Sequence, residues 1–473
     1  MIADLKPYPA MKDSGVPWLG EVPEHWNTEP LKRWVGMNAA VLPETTTPDL
    51  EFRYLDIGSV GTGILTQKPQ RLRFGTAPSR ARRVVRKGDT IVATVRTYLK
   101  AIYFVEEEAD ELVCSTGFAV LTPRVGTLPK FVSYLAQSKS FTDRVTADSV
   151  GIAYPAIAET RLSSFHVAVP PLPEQAAIVR FLDHADRRIR RHVRSKQKLI
   201  KLLEEQKQAI IHCAVTRGLD PNVRLKPSGV EWLGEVPAHW EVKRCRYLFR
   251  EVDSRSADGS EQHLSMSQRL GLVPSHLVEN RTLVSESYAG GKLCAVGDLV
   301  LNRLKAHLGV FALAQYTGVI SPDYTVLRPT EAEGTEYFER VLRSPACRRE
   351  LRIRAKGIVE GFWRLYTDDL YDIRLPVPPA KERSAIVAHN RAATADTASA
   401  VATAEREISL LREYRTRLIA DVVTGKLDVR AAAANLPIET DEPEASGDRE
   451  ALAEGDEGTI DVDLDAAPEE TEV

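Results

Sequence analysis

The sequence lacks the features of a membrane-spanning or secreted protein. Its uncharged apolar runs are all much shorter than the about 18 residues that a transmembrane helix needs. The N-terminal segment has no apolar core of the kind that signal peptides carry, so we expect a protein that is not secreted. The five cysteines are scattered and form no CxxC pair, which predicts a reducing cytoplasmic environment and no zinc ribbon.

Recognisable catalytic and metal-binding motifs are also missing. The chain has no GxxxxGK[ST] phosphate loop, no HExxH, no Asn-Pro-Pro-aromatic segment and no glycine-rich dinucleotide fingerprint after a strand. His25 and His239 each precede a tryptophan and are predicted to pack against the indole and cap a turn. Asp89 and Asp298 each follow a glycine and are predicted to be turn residues. The motifs therefore predict no catalytic residue, no bound cofactor and no metal ligand in this chain.

The small net charge of −3 hides an asymmetry between the body of the chain and its end. Residues 436–473 contain 15 acidic residues and one basic residue, Arg449, so they carry −14 and leave the rest near +11. A basic body of this size is attracted to polyanions. The acidic, aromatic-free end is predicted to be disordered. It is either a solvating tail or a segment that competes with DNA for the basic body.

The chain contains the same segments twice. Residues 14–26 read SGVPWLGEVPEHW and residues 228–240 read SGVEWLGEVPAHW, with 11 of 13 positions identical at an offset of 214. Residues 169–179 (VPPLPEQAAIV) match residues 377–387 (VPPAKERSAIV) at an offset of 208, and residues 216–220 match residues 424–428 at the same offset. Two connectors of equal length thus flank two domains that differ by six residues.

Each connector is predicted to be a long helix that begins after the Val-Pro-Pro segment and ends before a glycine, Gly218 or Gly425. About 40 residues in a helix form a rod of roughly 60 Å. Apolar residues repeat at heptad spacing. The predicted stripes of the first helix are Leu182, Ile189, Lys196, Leu203 and Ile210, and Ile178, Ala185, His192, Leu199, Gln206 and Cys213. That of the second is Ala393, Thr397, Ala400, Ala404, Leu411, Tyr414 and Leu418.

Between the connectors the sequence predicts two mixed α/β domains with a common skeleton. Strands are predicted at residues 91–95 and 119–121, and helices at 131–147 and 337–355. The predicted fold is α+β, a pseudo-twofold internal repeat in which two α/β domains are separated by a pair of long antiparallel, coiled-coil-like helices. The predicted boundaries are 1–26 (first repeat segment), 27–168 (first α/β domain), 169–220 (first helix), 221–240 (second repeat segment), 241–376 (second α/β domain), 377–430 (second helix) and 431–473 (acidic tail).

Basic and aromatic residues accompany the predicted loops of both α/β domains. Arginine and lysine hold phosphates, and arginine, lysine, asparagine and glutamine read base edges, so these loops are predicted to contact DNA. For any single residue, a solvated basic surface explains the pattern equally well. The candidates in the first domain are Arg53, Tyr54, Arg71, Arg73, Arg80, Arg82, Arg83, Arg96, Thr97, Tyr98 and Lys100. Those in the second are Asn302, Arg303, Lys305, His307, Lys356, Trp363 and Arg364.

The doubled SGVxWLGEVPxHW segment, followed by VPPxxEQ and a long helix that ends in TxG, resembles the specificity subunits of type I restriction-modification systems. The resemblance spans residues 7 to about 430 and leaves out the acidic tail. It implies that the α/β domains are target-recognition domains, each reading one half of a bipartite site in double-stranded DNA, and that the helices set the gap. It also implies two modification (methyltransferase) subunits that bind S-adenosylmethionine, and restriction/translocase subunits that use ATP and magnesium. The chain itself would then be a non-catalytic subunit.

Two other hypotheses stay open at this point. The chain could be a DNA-modifying enzyme whose catalytic residues carry no motif, or a scaffold that joins proteins without binding DNA. The arginine-rich segment 187–194 is interpreted either as a docking face for modification subunits or as a solvated helix face. The unequal domains predict two unlike half-sites, and half-sites on one face of a duplex lie about 34 Å apart or at multiples of that distance.

Overall fold

The computed structural model describes residues 5–106, 111–152, 154–267, 270–278, 288–331, 334–357 and 363–437; the side chains of 306 and 307 are not described. The described residues form two compact units. Unit 1 contains those from 5 to 198 and from 405 to 437, and unit 2 contains those from 199 to 404. Among the described residues, no helix is both long enough and apolar enough to cross a membrane.

Unit 1 is built from short strands and short helices. Its strands are β1 (Met11–Asp13), β2 (Glu21–Pro23), β3 (Asn27–Pro30), β4 (Val35–Met37), β5 (Glu51–Leu55), β6 (Gln70–Arg73), β7 (Ala81–Val84), β8 (Thr90–Ala93), β9 (Ile102–Phe104), β10 (Leu112–Ser115), β11 (Phe118–Pro123) and β12 (His166–Val169). Its short helices are α1 (Pro129–Gln137), α2 (Lys139–Ala147) and α3 (Glu159–Ser163). One sheet has the order β6-β5-β10-β7, with β5 and β10 parallel, and an antiparallel sheet has the order β4-β11-β8-β9.

A helix of 46 residues, α4 (Leu172–Arg217), starts in unit 1 and ends in unit 2. Unit 2 then continues with β13 (Leu225–Pro227), β14 (Glu235–Pro237), β15 (Glu241–Arg244), β16 (Phe249–Val252), β17 (Leu264–Ser267), β18 (Gly271–Pro274), β19 (Lys292–Cys294), β20 (Leu299–Asn302), β21 (Phe311–Leu313), β22 (Gly318–Ile320), β23 (Tyr324–Pro329) and β24 (Arg374–Val377). Its short helices are α5 (Thr335–Leu342), α6 (Pro345–Arg354) and α7 (Thr367–Tyr371). The sheet β16-β23-β20-β21 repeats the order of β4-β11-β8-β9, as the shared skeleton predicts.

The second long helix, α8 (Ala380–Val423), has 44 residues, starts in unit 2 and ends in unit 1, where α9 (Arg430–Ala434) follows. At 1.5 Å per residue, α4 and α8 are about 69 and 66 Å long. Gly218 and Gly425 follow their ends at φ +77° and +76°, which confirms the predicted stops because glycine adopts this left-handed conformation without strain.

The two long helices pack antiparallel, as predicted. In unit 1, Asp186 of α4 accepts a hydrogen bond from Arg415 of α8, and Lys196 pairs with Glu407 at 2.5 Å. The start of α4 and the end of α8 share one apolar core in unit 1, which includes Leu182 and Leu418. In unit 2, the end of α4 and the start of α8 share a second core.

The structure corrects the predicted apolar stripes in part. Ile178, Leu182, Ala185 and Ile189 are buried, but the exposed residues His192, Leu199, Gln206 and Cys213 do not continue the second stripe of α4. In α8 the predicted Ala404 and Leu418 are buried, whereas the predicted Ala393 and Ala400 are exposed and the residues after them, Thr394 and Val401, are buried. The stripe is therefore displaced by one residue at these two positions, since alanine-rich sequence gives little contrast between the faces of a helix.

Each helix predicted at 131–147 and 337–355 is in fact a pair of helices. The breaks lie at Ser138 and Ser344, whose hydroxyls accept hydrogen bonds from the backbone N–H groups of Phe141 and Cys347. A serine in this position caps the start of a helix, which favours a new helix over continuation of the old one. The two breaks occupy equivalent positions in the repeat.

In each unit, a buried tryptophan and the histidine before it contact both long helices. In unit 1, Trp26 Nε1 donates a hydrogen bond to Oε2 of Glu174 in the first turn of α4 (2.9 Å), and His25 Nε2 lies 2.8 Å from the same oxygen. A Cβ added to Gly425, just beyond α8, would lie 3.2 Å from Cη2 of Trp26. Arg430 reaches Glu174 Oε1 at 3.4 Å.

Unit 2 repeats this arrangement with weaker polar bonds. A Cβ added to Gly218, just beyond α4, would lie 3.3 Å from Cζ2 of Trp240. His239 Nε2 lies 2.8 Å from Oε2 of Glu382 in the first turn of α8. Among the described residues, Trp240 Nε1 has no hydrogen-bond partner. Both histidines thus bond to a helix carboxylate, a contact that the sequence analysis did not predict.

The repeat supplies a matched pair of stability variants. Glu174 is 6% exposed and accepts the hydrogen bond of the Trp26 indole. Glu382 is 27% exposed and bonds to His239, which is itself half exposed. We expect Glu174→Ala to lower the free energy of unfolding by about 2–3 kcal/mol, because it leaves a buried indole N–H unpaired. Glu382→Ala should cost about 1 kcal/mol or less, as for an exposed pair. Urea unfolding of the full chain measures both, and equal losses would contradict the unequal roles.

Candidate nucleic-acid interface

In unit 1, a strained and exposed turn follows β8. Arg96 and Lys100 have φ values of +52° and +50° and flank a 3₁₀ turn at Thr97–Leu99. Tyr98 is 52% exposed and Leu99 is 44% exposed. A left-handed conformation is costly for residues other than glycine, and such strain is concentrated at functional sites. Lys100 forms an ion pair with Asp143 at 3.3 Å, which anchors the end of this turn.

A second loop, after α2, packs beside this turn. Val95 pairs with Ala156, and the hydroxyls of Thr97 and Ser149 lie 2.8 Å apart. The guanidinium of Arg96 lies 4.8 Å from the centre of the Tyr154 ring. The exposed apolar side chains on this loop are Val150, Ile152 and Tyr154. We call the described residues of 96–100 and 149–156 the paired-loop surface of unit 1.

Unit 2 has a paired-loop surface at the equivalent place, formed by residues 303–308 and the described residues of 356–364. Lys356 pairs with Arg364 across an antiparallel bridge, and the N–H of Leu365 donates to the carbonyl of Arg303. Arg303 Nε donates to the carbonyl of Asp323 at 2.7 Å, and Arg364 Nη2 reaches Asp323 Oδ1 at 3.3 Å. One aspartate therefore holds arginines from both loops.

The remaining candidates of unit 2 lie on or beside these two loops. Lys305 stands at a kink in the 3₁₀ turn, with φ −117° and ψ 19°. Lys356 forms an ion pair with Asp369 at 2.8 Å, and the Arg352 guanidinium lies 5.5 Å from the centre of the Trp363 ring. His307 is on the same turn, but its side chain is outside the described part of the chain.

Four arginines of unit 1 lie on or beside the edge strands of the sheet β6-β5-β10-β7. Arg71 and Arg73 are exposed on β6, where Arg73 pairs with Glu51 at 3.1 Å. Arg80 is exposed just before β7, and the Arg82 guanidinium lies 4.5 Å from the centre of the Phe74 ring. These positions leave the four cationic groups accessible to a polyanion.

The structure gives four of the predicted residues a structural role instead. Arg83 is buried and donates to Asn38 Oδ1 at 2.9 Å, to the carbonyl of Phe118 and to Glu159. Thr97 and Tyr54 are also buried, and burial raises the pKa of the Tyr54 phenol. Asn302 is buried and its Oδ1 accepts hydrogen bonds from two N–H groups of the turn that follows β20. These side chains shape the loops from inside and are not accessible to a duplex.

Arg53 lines a cavity of about 350 Å³ inside unit 1. At one end of the cavity Asp186 pairs with Arg415 and, at 2.5 Å, with Arg190. These two guanidinium groups outweigh burial and lower the pKa of the Asp186 carboxyl. The cavity is thus lined by internal ion pairs between the long helices, and Arg53 lies apart from the paired loops.

The two Gly-Asp pairs have the structural role that the sequence predicts. Asp89 accepts a hydrogen bond from the N–H of Arg86 at 2.8 Å and one from Thr122 Oγ1 at 2.7 Å. Asp298 accepts from the N–H of Ala295 at 2.9 Å and binds Arg328 through both carboxylate oxygens at 2.8 Å. Among the described residues, no group of three or more histidine, cysteine or acidic side chains could hold a metal ion.

The sequence analysis missed the second loop of unit 1 as a functional candidate. Val150, Ile152 and Tyr154 are all more than half exposed, next to Tyr98 and Leu99. Exposed apolar side chains that adjoin each other indicate an interaction site. Gly151 and Ile152 recur in the second half of the sequence as Gly357 and Ile358, but an isoleucine in a single sequence is indistinguishable from a core residue. The available signal was an aromatic residue between glycine and proline in a duplicated loop.

The chain is similar in sequence to specificity proteins of type I restriction systems. Residues 82–201 match the family model described as the type I restriction modification DNA specificity domain. The specificity subunit of the HindI type I restriction enzyme from Haemophilus influenzae is 26% identical over 130 residues, 27% of this chain and 28% of that protein. The EcoKI specificity subunit from Escherichia coli is 22% identical over 293 residues, 58% of this chain and 61% of that protein. The chain thus spans less than two thirds of either relative.

The fold is similar to that of a solved structure. A protein from work on complex assembly and conformational transition of the type I R-M system superposes with a TM-score of 0.59 at 22% identity. The match covers 86% of this chain and 99% of that protein. At this identity the likeness concerns the fold alone.

Arg83 and Arg80 are close in the sequence, but Arg83 is buried and Arg80 is exposed, so their variants distinguish a structural role from a role in DNA binding. We expect Arg83→Ala to lower the free energy of unfolding by about 3 kcal/mol or more, because it breaks a buried charged network. Arg80→Ala should change it by no more than about 0.5 kcal/mol, as for exposed residues, but should weaken DNA binding. Urea unfolding and fluorescence anisotropy with labelled duplex measure the two effects. A fully stable Arg83→Ala protein with weakened DNA binding would contradict this assignment.

Proposed function

We propose that this chain, which belongs to the specificity subunits of type I restriction-modification systems, selects the DNA sequence on which such a complex acts. Each recognition domain, residues 27–168 and 241–376, reads one half of an asymmetric bipartite site. The chain carries out no catalysis itself. Methylation and cleavage belong to partner subunits, which would use S-adenosylmethionine, ATP and magnesium.

The observation that carries this proposal is the duplication of the paired-loop surface. Both units present a turn that follows the Gly-Asp strand, packed against the loop that follows the second helix of a pair. The scaffolds are equivalent, but the exposed side chains differ: an arginine and two tyrosines in unit 1, and arginines and a lysine in unit 2. Two different reading surfaces on one scaffold suit two different half-sites.

The chemistry of these surfaces suits base recognition supported by phosphate contacts. Arginine donates two hydrogen bonds to guanine, and an exposed aromatic or aliphatic side chain inserts between base steps. Arg96, Tyr98 and Tyr154 provide these groups in unit 1. Arg71, Arg73, Arg80 and Arg82 would hold phosphates, which fixes the position of the protein on the duplex without reading sequence.

The long helices would have two roles in the assembled complex. A continuous helix is stiff, so α4 and α8 would set the separation of the half-sites, and their exposed faces would dock two modification subunits. A salt-dependent affinity for duplex DNA distinguishes this function from a scaffold that joins proteins only, because phosphate contacts release counterions.

The experiment that tests the function is methylation mapping by long-read sequencing after co-expression with the modification subunits. We expect a split, non-palindromic motif that appears only when this chain is present. Arg96→Ala with Tyr98→Ala should relax one half of the motif and leave the other intact. Lys305→Ala with Arg364→Ala should relax the opposite half. Loss of one base contact costs about 1–3 kcal/mol, or about 5- to 150-fold in affinity.

Each double variant is the control for the other. A palindromic motif, or loss of both halves in either variant, would contradict independent reading by the two units. Modification or cleavage of DNA by the purified chain alone, with magnesium or S-adenosylmethionine, would favour the hypothesis of an enzyme. A complex that forms but leaves DNA unmodified at every sequence would favour the scaffold.

A further inference from the structure

One face of α4 carries basic side chains over five helical turns. Their spacing of three, four and seven residues places them on a single stripe. The stripe lies opposite the buried face of α4, which includes Ile178, Leu182, Ile189 and Val193. Its members, which we call the arginine stripe, are Arg180, His184, Arg187, Arg188, Arg191, Arg194 and Lys198.

Positive charge is concentrated along this stripe. Residues 180–198 contain eight arginine and lysine side chains, six of them on the stripe, and two acidic ones, within about 27 Å of helix. Both acidic groups bond elsewhere: Asp183 accepts from Tyr134 at 2.6 Å, and Asp186 pairs with Arg415 and Arg190. Partial burial lowers the pKa of His184, and the charges of three arginines on the stripe lower it further.

The acidic end of the chain begins at the foot of this stripe. Arg180 Nη2 donates to the carbonyl of Leu436 at 2.7 Å and lies 3.5 Å from that of Pro437. Residues 438–473, which lie outside the described part of the chain, contain 15 acidic residues and one basic residue. About 8 extended residues span 27 Å. The segment from Ile438 to Glu450 already contains six acidic residues, so it has both the reach and the charge to match the stripe.

We propose that residues 438–473 bind the arginine stripe of α4 within the same chain. Charge complementarity provides the attraction, and the tether at Leu436 and Pro437 makes it intramolecular, at an effective concentration of about millimolar. Another acidic ligand must displace the tail before it reaches the stripe. The proposal concerns α4 and the tail and not the paired-loop surfaces, so it does not depend on how those surfaces read DNA. A bound tail would compete with a modification subunit for this face of α4.

A labelled peptide tests whether the tail occupies this stripe. The probe is a fluorescein-labelled peptide of residues 438–473, and the host is a full-length neutral-tail variant in which each of the 15 acidic residues becomes its amide. We expect anisotropy in low salt to show at least about tenfold tighter binding to this variant than to the unaltered chain, whose own tail competes. Added salt should weaken the binding, since it screens the charges.

Three substitutions on the stripe identify the site. Arg187→Gln, Arg188→Gln and Arg191→Gln together, in the neutral-tail variant, should weaken peptide binding by about tenfold, the loss expected for several exposed charge pairs. The matched control replaces three exposed arginines of unit 2 by glutamine, Arg250, Arg349 and Arg374, and should leave binding unchanged. Circular dichroism checks that all variants are folded.

Two outcomes would overturn the proposal. Equal peptide affinity for the unaltered chain and the neutral-tail variant would mean that the tail does not occupy the peptide site. Full binding to the stripe variant would place the peptide elsewhere. Weakened binding after Arg71→Gln, Arg73→Gln, Arg80→Gln and Arg82→Gln would then locate it on the proposed phosphate-contacting surface, and the tail would be a competitor of DNA there.

Discussion

The arrangement of both units depends on one buried tryptophan in each copy of the repeat. Trp26 joins the first turn of α4 to the end of α8. In the second copy, Trp240 lies beside the end of α4, and the preceding His239 bonds to Glu382 in the first turn of α8. Because the helices are antiparallel, each His-Trp pair meets the start of one helix and the end of the other. A Cβ at Gly425 would clash with Cδ of Pro23, and one at Gly218 would lie 3.1 Å from Oε1 of Glu382. Limited space and the left-handed backbone therefore both favour glycine after each helix.

This shared framework allows the exposed side chains of the two paired-loop surfaces to differ. In both units the Gly-Asp turn is held by internal hydrogen bonds of Asp89 or Asp298, and the strand that follows has the same neighbours in its sheet. The next residues leave the sheet and form a loop, where side chains change at little cost in stability. Arg83, on a buried network with Asn38 and Glu159, supports the domain from inside. The exposed side chains of the paired-loop surfaces are thus separate from the residues that maintain the fold.

The basic side chains of this chain differ in how many acidic residues lie near them. Several basic side chains near the sheets and short helices have local carboxylates, such as Glu51 for Arg73 and Asp323 for Arg364. The arginine stripe of α4 has few acidic residues of its own, and the largest store of negative charge in the sequence begins beside it. Electrostatic attraction acts over about 8 Å at physiological ionic strength, so this proximity matters more than the net charge of −3.

The sequence by itself determined the duplicated plan, the bounds of the long helices and the turn role of the two aspartates, because repeats, glycine stops and capping act locally along the chain. It did not separate Arg83 from Arg80, since which arginine is buried depends on how β7 pairs with β10. Nor did it bring residues 96–100 against 149–156, about fifty positions away. Only the tertiary structure decided these points, because burial and contact between loops depend on strand register and packing over distances that no local pattern records.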